Sequence, residues 1–501
     1  MIGRVVRDPV FVILTMGFVA LVVRAYSWLQ PGSLLAEREY DDGVMFAASV
    51  ATVHGLIPYA DFTFLHPPGS IVLLAPFAVT ANVWTDAQAL AGARVALVFV
   101  GVANTVLVGV LLRPAGRLAI VVGAGAYAVW SNAVRAEETV LLEPLLNLCL
   151  LVALTALAAR RLALVFVAGA ALGLALTVKY WAAIDIVVVG AMVAVLWGWR
   201  GIWRLLVGGV AAALVIMLPF FVRAPGEMWM QTVLAQLGRP PSVSGAGPSV
   251  WGRHVSPIAG QNALDQLVPG LVWAGLFVAI VLALSLPVLW RAWRARRAPS
   301  RWPDSLWWTL LLLAHFVALV LTGKAFYYHY ASWIIAPLAL CLGAATLGIH
   351  RIRVRRTTAI VAAAAIIGVG AGNLLRPTLP GGAPRELAAE ASSYECVWGT
   401  PSQLIVADRL SSGLENGCDI DIDPFGVALT EFREGAGRAD LPQWNDLWVA
   451  HAWAQITTAD AVVIGVADND EAFFTPERRA EFARDFFLVF EDGRTALWAR
   501  D

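Results

Sequence analysis

The chain contains 501 residues, of which 59% are hydrophobic and only 14% are charged. Soluble proteins carry roughly 25% charged residues, so this composition excludes an ordinary globular protein, a disordered chain and a small disulfide framework. The 36 basic and 36 acidic residues cancel, which removes any long-range attraction to nucleic acid. The composition predicts a polytopic α-helical membrane protein.

Eleven apolar segments are long enough to cross a bilayer. A hydrocarbon core of about 30 Å takes roughly 20 helical residues, since every backbone amide must find its partner within the span. The predicted spans are Pro9–Leu29, Ala87–Leu112, Leu118–Val134, Val140–Ala159, Leu162–Val178, Trp181–Trp199, Leu205–Val222, Leu267–Trp290, Leu306–Thr322, Tyr330–Ile349 and Thr358–Leu375.

Arginine clusters between these spans give the orientation, because they all fall on one side when the spans are threaded in order. The clusters are Arg4 and Arg7, Arg113 and Arg117, Arg160 and Arg161, Arg200 and Arg204, Arg291 to Arg301, and Arg351 to Arg356. The positive-inside rule makes that side cytoplasmic. We therefore expect a multi-pass protein of the plasma (inner) membrane, with a cytoplasmic N-terminus and an extracytoplasmic C-terminal domain.

The predicted first outer loop, residues 30–84, combines an acidic pair with two apolar helices. Asp41 and Asp42 directly precede Val44–His54, a run that suits a helix on the membrane surface. Adjacent carboxylates at a helix start also have a structural explanation, because they satisfy free amides and the helix dipole. Ser70–Trp84 is apolar but short and contains a proline, so we expect a surface or re-entrant helix on the outer face.

A short outer loop, residues 135–139, brings more charge to the same surface. Arg135 is an outer-face cation, and Glu138 follows three residues later. Glu143 should lie just inside the bundle, where a carboxylate is costly unless it is used or paired. The alternatives are a solvated loop acid for Glu138 and a structural salt bridge for Glu143.

Only two lysines occur in the chain, Lys179 and Lys324, and both follow predicted spans at the outer surface. Lysines at membrane borders often snorkel, so an anchoring role is the alternative to a functional one. Tyr328 and His329 add hydrogen-bond donors near Lys324, although interfacial aromatic residues are also expected as anchors. Asp185 is expected to pair with Lys179 or to line a cavity.

The predicted domains are a membrane module, residues 1–376, and an extracytoplasmic α/β domain, residues 377–501. The module includes the first outer loop and a Gly-, Pro- and Ser-rich outer loop, residues 223–266. Such a loop fits a mobile segment that closes over a ligand, and it fits a plain connector equally well.

The C-terminal domain alternates strand and helix signals. Strands are predicted at Gln403–Ala407 and Ala461–Val466, and Thr475 followed by proline predicts a helix start. The segment Phe486–Ala499 predicts a hairpin that turns at Asp492 and the following glycine.

The four cysteines fall into two pairs. Cys396 and Cys418 lie in the C-terminal domain, where an oxidising compartment favours a disulfide between them; two unpaired thiols are the alternative. Cys149 and Cys341 lie within predicted spans and are expected to be buried small apolar residues.

The acidic pair Asp41-Asp42, the stretch His66-Pro67-Pro68 and the predicted topology together resemble the GT-C superfamily of polytopic glycosyltransferases. That superfamily includes protein O-mannosyltransferases, the aminoarabinose transferase of lipid A, and actinobacterial arabinosyl- and mannosyltransferases. The resemblance covers roughly Leu35 to Ile349. It implies a GT-C-like fold of about eleven spans with a small outer domain.

The resemblance also implies an activity, the transfer of a sugar from a polyprenyl-phosphate donor to a cell-envelope acceptor hydroxyl with inversion. Asp41 is then the base, and Asp42 orients the acceptor or, alternatively, holds a divalent ion. The remaining residues expected to bind donor or acceptor are His66, Arg135, Glu138, Glu143, Lys179, Lys324, Tyr328 and His329.

The expected partners are the lipid-linked donor, a glycan, lipid or protein acceptor, and the bilayer, with no nucleic acid. No metal is expected to be required, because His54 and His66 lack a third ligand nearby in sequence; Mg²⁺ or Mn²⁺ is the alternative. A transporter or lipid flippase is the main competing function, and an envelope assembly or sensing protein is a third. Transporters place ionisable residues near the midplane and often show repeats, whereas here the acids cluster at one surface.

Overall fold

The structure, a computed structural model, describes residues 8–30, 33–239, 270–296, 302–321, 327–376, 382–436, 445–465 and 475–500. Within these ranges the protein is mostly helical and has one four-stranded sheet near the C-terminus. The α-helices are Pro9–Ala25, Tyr40–Val53, Gly69–Ala78, Asp86–Leu112, Arg117–Val129, Ser131–Glu137, Glu143–Ala158, Leu164–Val178, Ala182–Arg223, Pro225–Trp229, Ala235–Gly238, Gly270–Arg294, Asp304–Leu321, Ile335–Ala345, Ile352–Leu374, Pro384–Ala391, Pro401–Val406, Leu410–Glu415, Pro424–Thr430, Asp446–Ile456 and Pro476–Asp485.

Seven helices in the described part of the chain are long and apolar enough to cross a membrane. They are Pro9–Leu29, Asp86–Ala115, Ala182–Arg223, Gly275–Arg294, Asp304–Leu321, Tyr328–Gly348 and Ile352–Leu374. An eighth is the pair Arg117–Val129 and Ser131–Glu137, if the two are counted as one span. The count of eleven spans stays a prediction.

Within the predicted span Leu118–Val134 the helix breaks at Trp130. Trp130 is extended, with φ −63° and ψ 116°, and the two helical pieces are bent by 56°. Glu143–Ala158 and Leu164–Val178, where two further spans are predicted, are apolar helices of 16 and 15 residues.

The helix Ala182–Arg223 is a hairpin of two arms rather than one rod. Its backbone leaves helical geometry at Gly198, where φ is 60°. A Cβ placed on Gly190 would lie 4.0 Å from Leu205, whereas fifteen residues of straight helix rise about 22 Å. The two arms therefore fold back at Gly198, where the sequence predicts separate spans, because glycine tolerates the left-handed conformation.

The described residues form two compact units that do not follow the order of the chain. The first comprises residues 1–26, 97–216 and 246–377, and the second comprises residues 27–96, 217–245 and 378–501. The second unit thus combines the first outer loop with the C-terminal residues.

Small residues allow close helix packing in the first unit. Pro9–Ala25 packs on Arg117–Val129, with Ala20 and Ala128 fully buried between them. A Cβ on Gly123 would come within 2.6 Å of the Ala339 carbonyl oxygen. Small side chains at such contacts are typical of membrane helix bundles.

In the second unit the first outer loop packs directly on the C-terminal residues. Helix Tyr40–Val53 contacts helix Pro401–Val406 so closely that a Cβ on Gly43 would lie 2.6 Å from the Ser402 nitrogen. The Ser402 hydroxyl donates to the Glu39 carbonyl oxygen at 3.1 Å. These contacts explain why two segments far apart in sequence form one unit.

The sheet comprises β1 (Val397–Trp398), β2 (Ala461–Gly465), β3 (Phe486–Glu491) and β4 (Thr495–Arg500), in the order β1-β2-β4-β3. β1 is parallel to β2, and the other two pairings are antiparallel. The predicted β3–β4 hairpin is present, since the two strands pair antiparallel. Gly493 lies in its turn with a φ of 76°.

The predicted strand Gln403–Ala407 is wrong, since Pro401–Val406 is a helix. Thr400 and Gln403 form a capping box, and Pro401 occupies the first helical position. Leu404, Ile405 and Val406 are all buried. A short apolar run buried on every side shows no periodicity that would distinguish helix from strand.

Cys396 and Cys418, for which a disulfide is predicted, are bonded with an S–S distance of 2.04 Å. The bond joins the residue before β1 to the segment that follows helix Leu410–Glu415. Cys149 and Cys341 are free and buried.

Candidate functional site

The two carboxylates of the acidic pair have different surroundings in the second unit. Asp42 is fully buried and pairs with Arg94, whose Nε lies 3.0 Å from its Oδ2 and whose Nη2 donates to the same atom. Arg94 also donates to the carbonyl oxygens of Leu34, at 2.6 Å, and Ala36, at 2.8 Å. This geometry places the Asp42 carboxylate in a buried ion pair, and its predicted acceptor-orienting role stays a prediction.

Asp41 lies on the first turn of helix Tyr40–Val53 and is partly exposed. The neighbouring Tyr40 hydroxyl accepts a hydrogen bond from the Phe425 N–H at 2.9 Å. Removal of that hydroxyl from water raises the pKa of Tyr40 well above its usual value, and the carboxylates of Asp423 and Asp41 raise it further. Tyr40 is therefore a neutral phenol that fixes the start of the helix beside Asp41.

Asp423 is a buried acid that sequence reasoning missed. Its Oδ1 accepts from the Gly426 N–H at 2.9 Å, and its Oδ2 accepts from the Leu65 N–H at 3.2 Å. The pKa of Asp423 is raised to about 7, mainly by burial and further by the nearby Asp41 carboxylate. The two backbone hydrogen bonds act in the opposite direction. An aspartate before Pro424 at a helix start is an ordinary cap in sequence, so no signal distinguished it.

The segment with His66 is held by residues that follow the long helical hairpin. The Gln231 side-chain oxygen accepts from the Phe64 N–H at 3.0 Å, and Gln236 donates to the Leu65 carbonyl oxygen at 3.2 Å. Tyr59 donates its hydroxyl proton to the His66 carbonyl oxygen at 2.7 Å. The second unit thus places His66 and Asp41 in one packed set of loops.

In the first unit the structure brings Glu143 and Lys179 together. The Lys179 Nζ lies 2.6 Å from Glu143 Oε1, 4.0 Å from the Trp181 ring centroid and 4.3 Å from that of Tyr330. The Glu143 side chain is 1% exposed, and its Oε2 has no hydrogen-bond partner among the residues that the structure describes. Buried polar atoms rarely stay unpaired, so Glu143 has capacity for a ligand hydroxyl.

Asp185 does not pair with Lys179, which corrects that prediction. Its Oδ1 lies 2.6 Å from the His315 Nε2, and both side chains are fully buried. The His315 ring stacks on Trp333 with centroids 3.8 Å apart. The sequence could not choose between these partners, since the helix Asp304–Leu321 lies more than a hundred residues away.

The predicted aromatic residues lie on the turn Tyr328–Ser332, also in the first unit. The His329 and Tyr330 ring centroids are 4.7 Å apart. The Arg135 guanidinium lies 5.6 Å from the Tyr328 ring centroid. Arg135, Lys179 and the aromatic turn therefore supply cations and donors to the same unit.

Glu138 is not a solvated loop acid, because it is buried and its Oε2 lies 3.0 Å from Arg376 Nη2. The adjacent Glu137 forms a buried network that sequence reasoning missed. Its Oε2 accepts from Arg24 Nε at 2.6 Å, and its Oε1 accepts from the Tyr127 hydroxyl at 2.8 Å. This network holds the bent helices of the first unit together.

Two predictions fall on residues outside the described ranges, namely Lys324 and residues 240–266 of the predicted outer loop. Among the described residues, no group of three or more His, Cys, Asp and Glu side chains is placed to hold a metal ion.

No protein-family model and no curated protein matches the sequence. Eleven chains of solved structures do match. One is the crystal structure of the Archaeoglobus fulgidus oligosaccharyltransferase in complex with zinc and sulfate, with a TM-score of 0.55 and 13% identity, covering 98% of this chain and 73% of that one.

A second is the same enzyme tethered by a disulfide bond to an acceptor peptide containing the NVT sequon, with a TM-score of 0.50 and 13% identity, covering 98% of this chain and 74% of that one. At this identity the likeness is one of fold.

Proposed function

We propose that the chain is a membrane glycosyltransferase that moves a sugar from a polyprenyl-phosphate donor to a hydroxyl of a cell-envelope acceptor, with inversion, on the extracytoplasmic face. The observation that carries the proposal is the fold shared, over 98% of this chain, with an oligosaccharyltransferase. The residues around Asp41 in the second unit and the Glu143–Lys179 pair in the first unit add chemistry that such a transfer needs.

Asp41 is the proposed base. As the acceptor oxygen attacks the anomeric carbon, the bond to the donor phosphate breaks and the acceptor proton passes to the Asp41 carboxylate. The transition state is oxocarbenium-like, so a carboxylate poised at the acceptor is the appropriate reagent. Tyr40 supports this role by fixing the helix start through Phe425.

The proposed donor site centres on Lys179. The departing phosphate monoester is a stable anion and needs cations or hydrogen-bond donors more than a general acid. Lys179 is a cation at the end of an apolar helix, where an ionised side chain is costly unless it is used or paired, and here it pairs with Glu143. Glu143 is proposed to contact donor sugar hydroxyls through its second oxygen.

The remaining predicted ligands keep narrower proposed roles. Arg135, Tyr328, His329 and Lys324 are proposed to assist phosphate binding, and His66 to face the acceptor. Glu138 is proposed to position its neighbours through Arg376 rather than to contact the donor.

We propose that the reaction requires no metal ion, with Mg²⁺ or Mn²⁺ as the alternative. The observation that favours this proposal is the Asp42–Arg94 pair, which commits one carboxylate of the acidic pair to a guanidinium. Full turnover after treatment with a chelator is the expected result.

The test is the Asp41→Asn variant of the purified protein, which keeps the shape of the side chain but cannot take a proton. We expect turnover to fall by about a hundredfold or more, with little change in donor affinity. Glu477→Gln, a fully exposed acid, is the matched control. Turnover like that of the wild type in Asp41→Asn would remove Asp41 as the base.

The competing function, a flippase, is separated by reconstitution into vesicles. Buried ionisable pairs within spans, such as Asp185 with His315, also occur in transporters. Movement of the intact donor across the bilayer without an acceptor would favour that function.

A further inference from the structure

Two exposed groups of arginines meet at one end of the first unit, on the side that the sequence predicts to be cytoplasmic. One group lies on the turn that precedes helix Arg117–Val129, and the other lies at the start of helix Ile352–Leu374. Together they form the arginine cluster, which comprises Arg113, Arg117, Arg351, Arg353, Arg355 and Arg356.

The two groups meet because the helices that follow them pack side by side in the same direction. At the start of the pair, a Cβ on Gly116 would lie 3.9 Å from the Arg355 Nη2. Further along, a Cβ on Gly370 would lie 3.5 Å from the Val129 side chain. The beginnings of both helices therefore lie at the same end of the unit, and both carry arginines.

The charge of the cluster is not neutralised by the protein within the part of the chain that the structure describes. Residues 87–136 and 305–385 contain no Asp or Glu. Among the described residues, no acid pairs with the five arginines other than Arg117. Like charges gathered at one place repel one another, and a bound anion relieves that repulsion.

Helix stability does not explain the position of these arginines. The N-terminus of a helix carries a partial positive charge, so acids are favourable there and cations are not. Neither helix has an acid in its first turn. The positive-inside rule accounts for basic residues on this side of the membrane, but not for their convergence on one point from two distant segments.

The helix that carries four of the arginines presents apolar side chains beside them. Ile352 and Val354 alternate with the arginines and are 63% and 47% exposed. Ile360 and Val361 are exposed further along, and only 6% of an apolar 18-residue stretch of this helix is buried within the protein. A ligand at the cluster therefore meets guanidinium groups and an apolar surface at the same time.

This combination selects the class of ligand. A guanidinium group binds phosphate oxygens with paired, charge-assisted hydrogen bonds. A soluble phosphate uses only the charged part of the surface, whereas a phospholipid also places its acyl chains along the exposed apolar residues. Basic groups between membrane helices on the cytoplasmic side are suited to such headgroups.

We propose that the arginine cluster binds the phosphate of an anionic phospholipid, between the turn at Gly116 and the start of helix Ile352–Leu374. The site is separate from the residues assigned to sugar transfer, and the proposal does not depend on that activity.

The test is native mass spectrometry of the full-length protein in detergent micelles, titrated with phosphatidylglycerol, with phosphatidylcholine and with inorganic phosphate. The variant Arg113→Gln with Arg355→Gln removes one exposed cation from each segment. Arg200→Gln with Arg204→Gln is the matched control, because it removes two exposed arginines from another loop on the same predicted side.

We expect phosphatidylglycerol to bind the wild type and the control equally and to bind the Arg113/Arg355 variant about ten- to thirtyfold more weakly. Phosphatidylcholine, which has no net charge, should bind all three proteins alike. Equal losses in the two variants would show a diffuse surface charge and overturn the proposal. No preference for phosphatidylglycerol, or binding of inorganic phosphate alone, would overturn it as well.

A thermal unfolding midpoint shared by all three proteins is expected, since the replaced side chains are exposed. Phosphatidylglycerol should raise that midpoint in the wild type and the control more than in the Arg113/Arg355 variant, because a ligand stabilises the state that binds it. The same rise in all three proteins would contradict a site at the cluster.

Discussion

At the scale of single residues, the charged side chains divide into saturated pairs and groups with capacity left for a ligand. Arg94 satisfies Asp42, and Arg24 satisfies Glu137, with all four side chains at most 1% exposed. Removing one partner of such a pair leaves an uncompensated buried charge, which costs about 3–5 kcal/mol. Neighbouring acids that are alike in sequence can thus have different surroundings, since Asp41 is partly exposed whereas Asp42 is buried beside Arg94.

Lys179 provides the residue-scale prediction for donor binding. Lys179→Ala should weaken the affinity for a polyprenyl-phosphate sugar by about one to two orders of magnitude, because it removes the cation beside the phosphate. Arg204→Ala, an exposed cation in a loop predicted to be cytoplasmic, is the matched control. Equal donor affinity in the two variants would reduce Lys179 to a structural partner of Glu143.

His451 provides a prediction for pH dependence. Its hydrogen bond to Asp421 raises the pKa of the imidazole above its usual value. For a base with a raised folded pKa, the added stability is complete below the unfolded value of about 6.5 and is lost as the pH rises through the folded value.

The unfolding midpoint of the wild type should therefore fall more between pH 6 and 8 than that of His451→Gln. The corresponding difference in the free energy of unfolding should stay within about 1 kcal/mol, because the His451 side chain is partly exposed to solvent. Parallel pH profiles for the two proteins would contradict the assignment of the pair.

At the scale of elements, glycine and the extended Trp130 fix how the helices turn and pack. Gly198 reverses the long helix, and Trp130 redirects the chain toward Glu137. Gly101 lies where a Cβ would overlap the Arg24–Glu137 pair. The bundle can bury that pair only because one helix lacks a side chain at this point.

Gly101→Ala should consequently lower the free energy of unfolding by about 3 kcal/mol, since the pair must separate to make room. Gly275→Ala is the matched control, because it also lies in an apolar helix and its Cβ would meet nothing within 4 Å. Thermal unfolding in micelles compares the two. A similar midpoint for both variants would show that the pair adjusts without cost.

Local sequence signals predicted the secondary-structure elements better than they predicted contacts between distant residues. Thr475 with Pro476 marked a helix start, and Asp492 with Gly493 marked a hairpin turn, because these signals act within a few residues. The pairing of Asp185 with His315 joins positions 130 residues apart. No local pattern encodes such a choice, so the sequence could not predict it.

The candidate site was predictable in part for the same reason. Composition and topology singled out Glu143 and Lys179, because charges at a membrane border are costly and therefore few. Asp423 was not found, since an aspartate at a helix start is ordinary in a water-soluble region and gains meaning only from its neighbours.

At the scale of the whole molecule, the chain is an apolar helical protein with the fold of an oligosaccharyltransferase. Its first outer loop and its C-terminal residues form one compact unit. This grouping makes the C-terminal residues part of the proposed reaction machinery, because Asp423 and Phe425 contact the loop that carries the acidic pair.

The central claim is that the chain transfers a sugar from a lipid-linked phosphate to an acceptor hydroxyl. The most direct test supplies the purified protein with polyprenyl-phosphate mannose, arabinose or glucose, with and without a methyl glycoside acceptor, and follows polyprenyl phosphate by phosphorus NMR. The predicted result is release of polyprenyl phosphate that requires the acceptor and matches the amount of new glycoside. Donors that all remain intact in the presence of acceptor would contradict the claim.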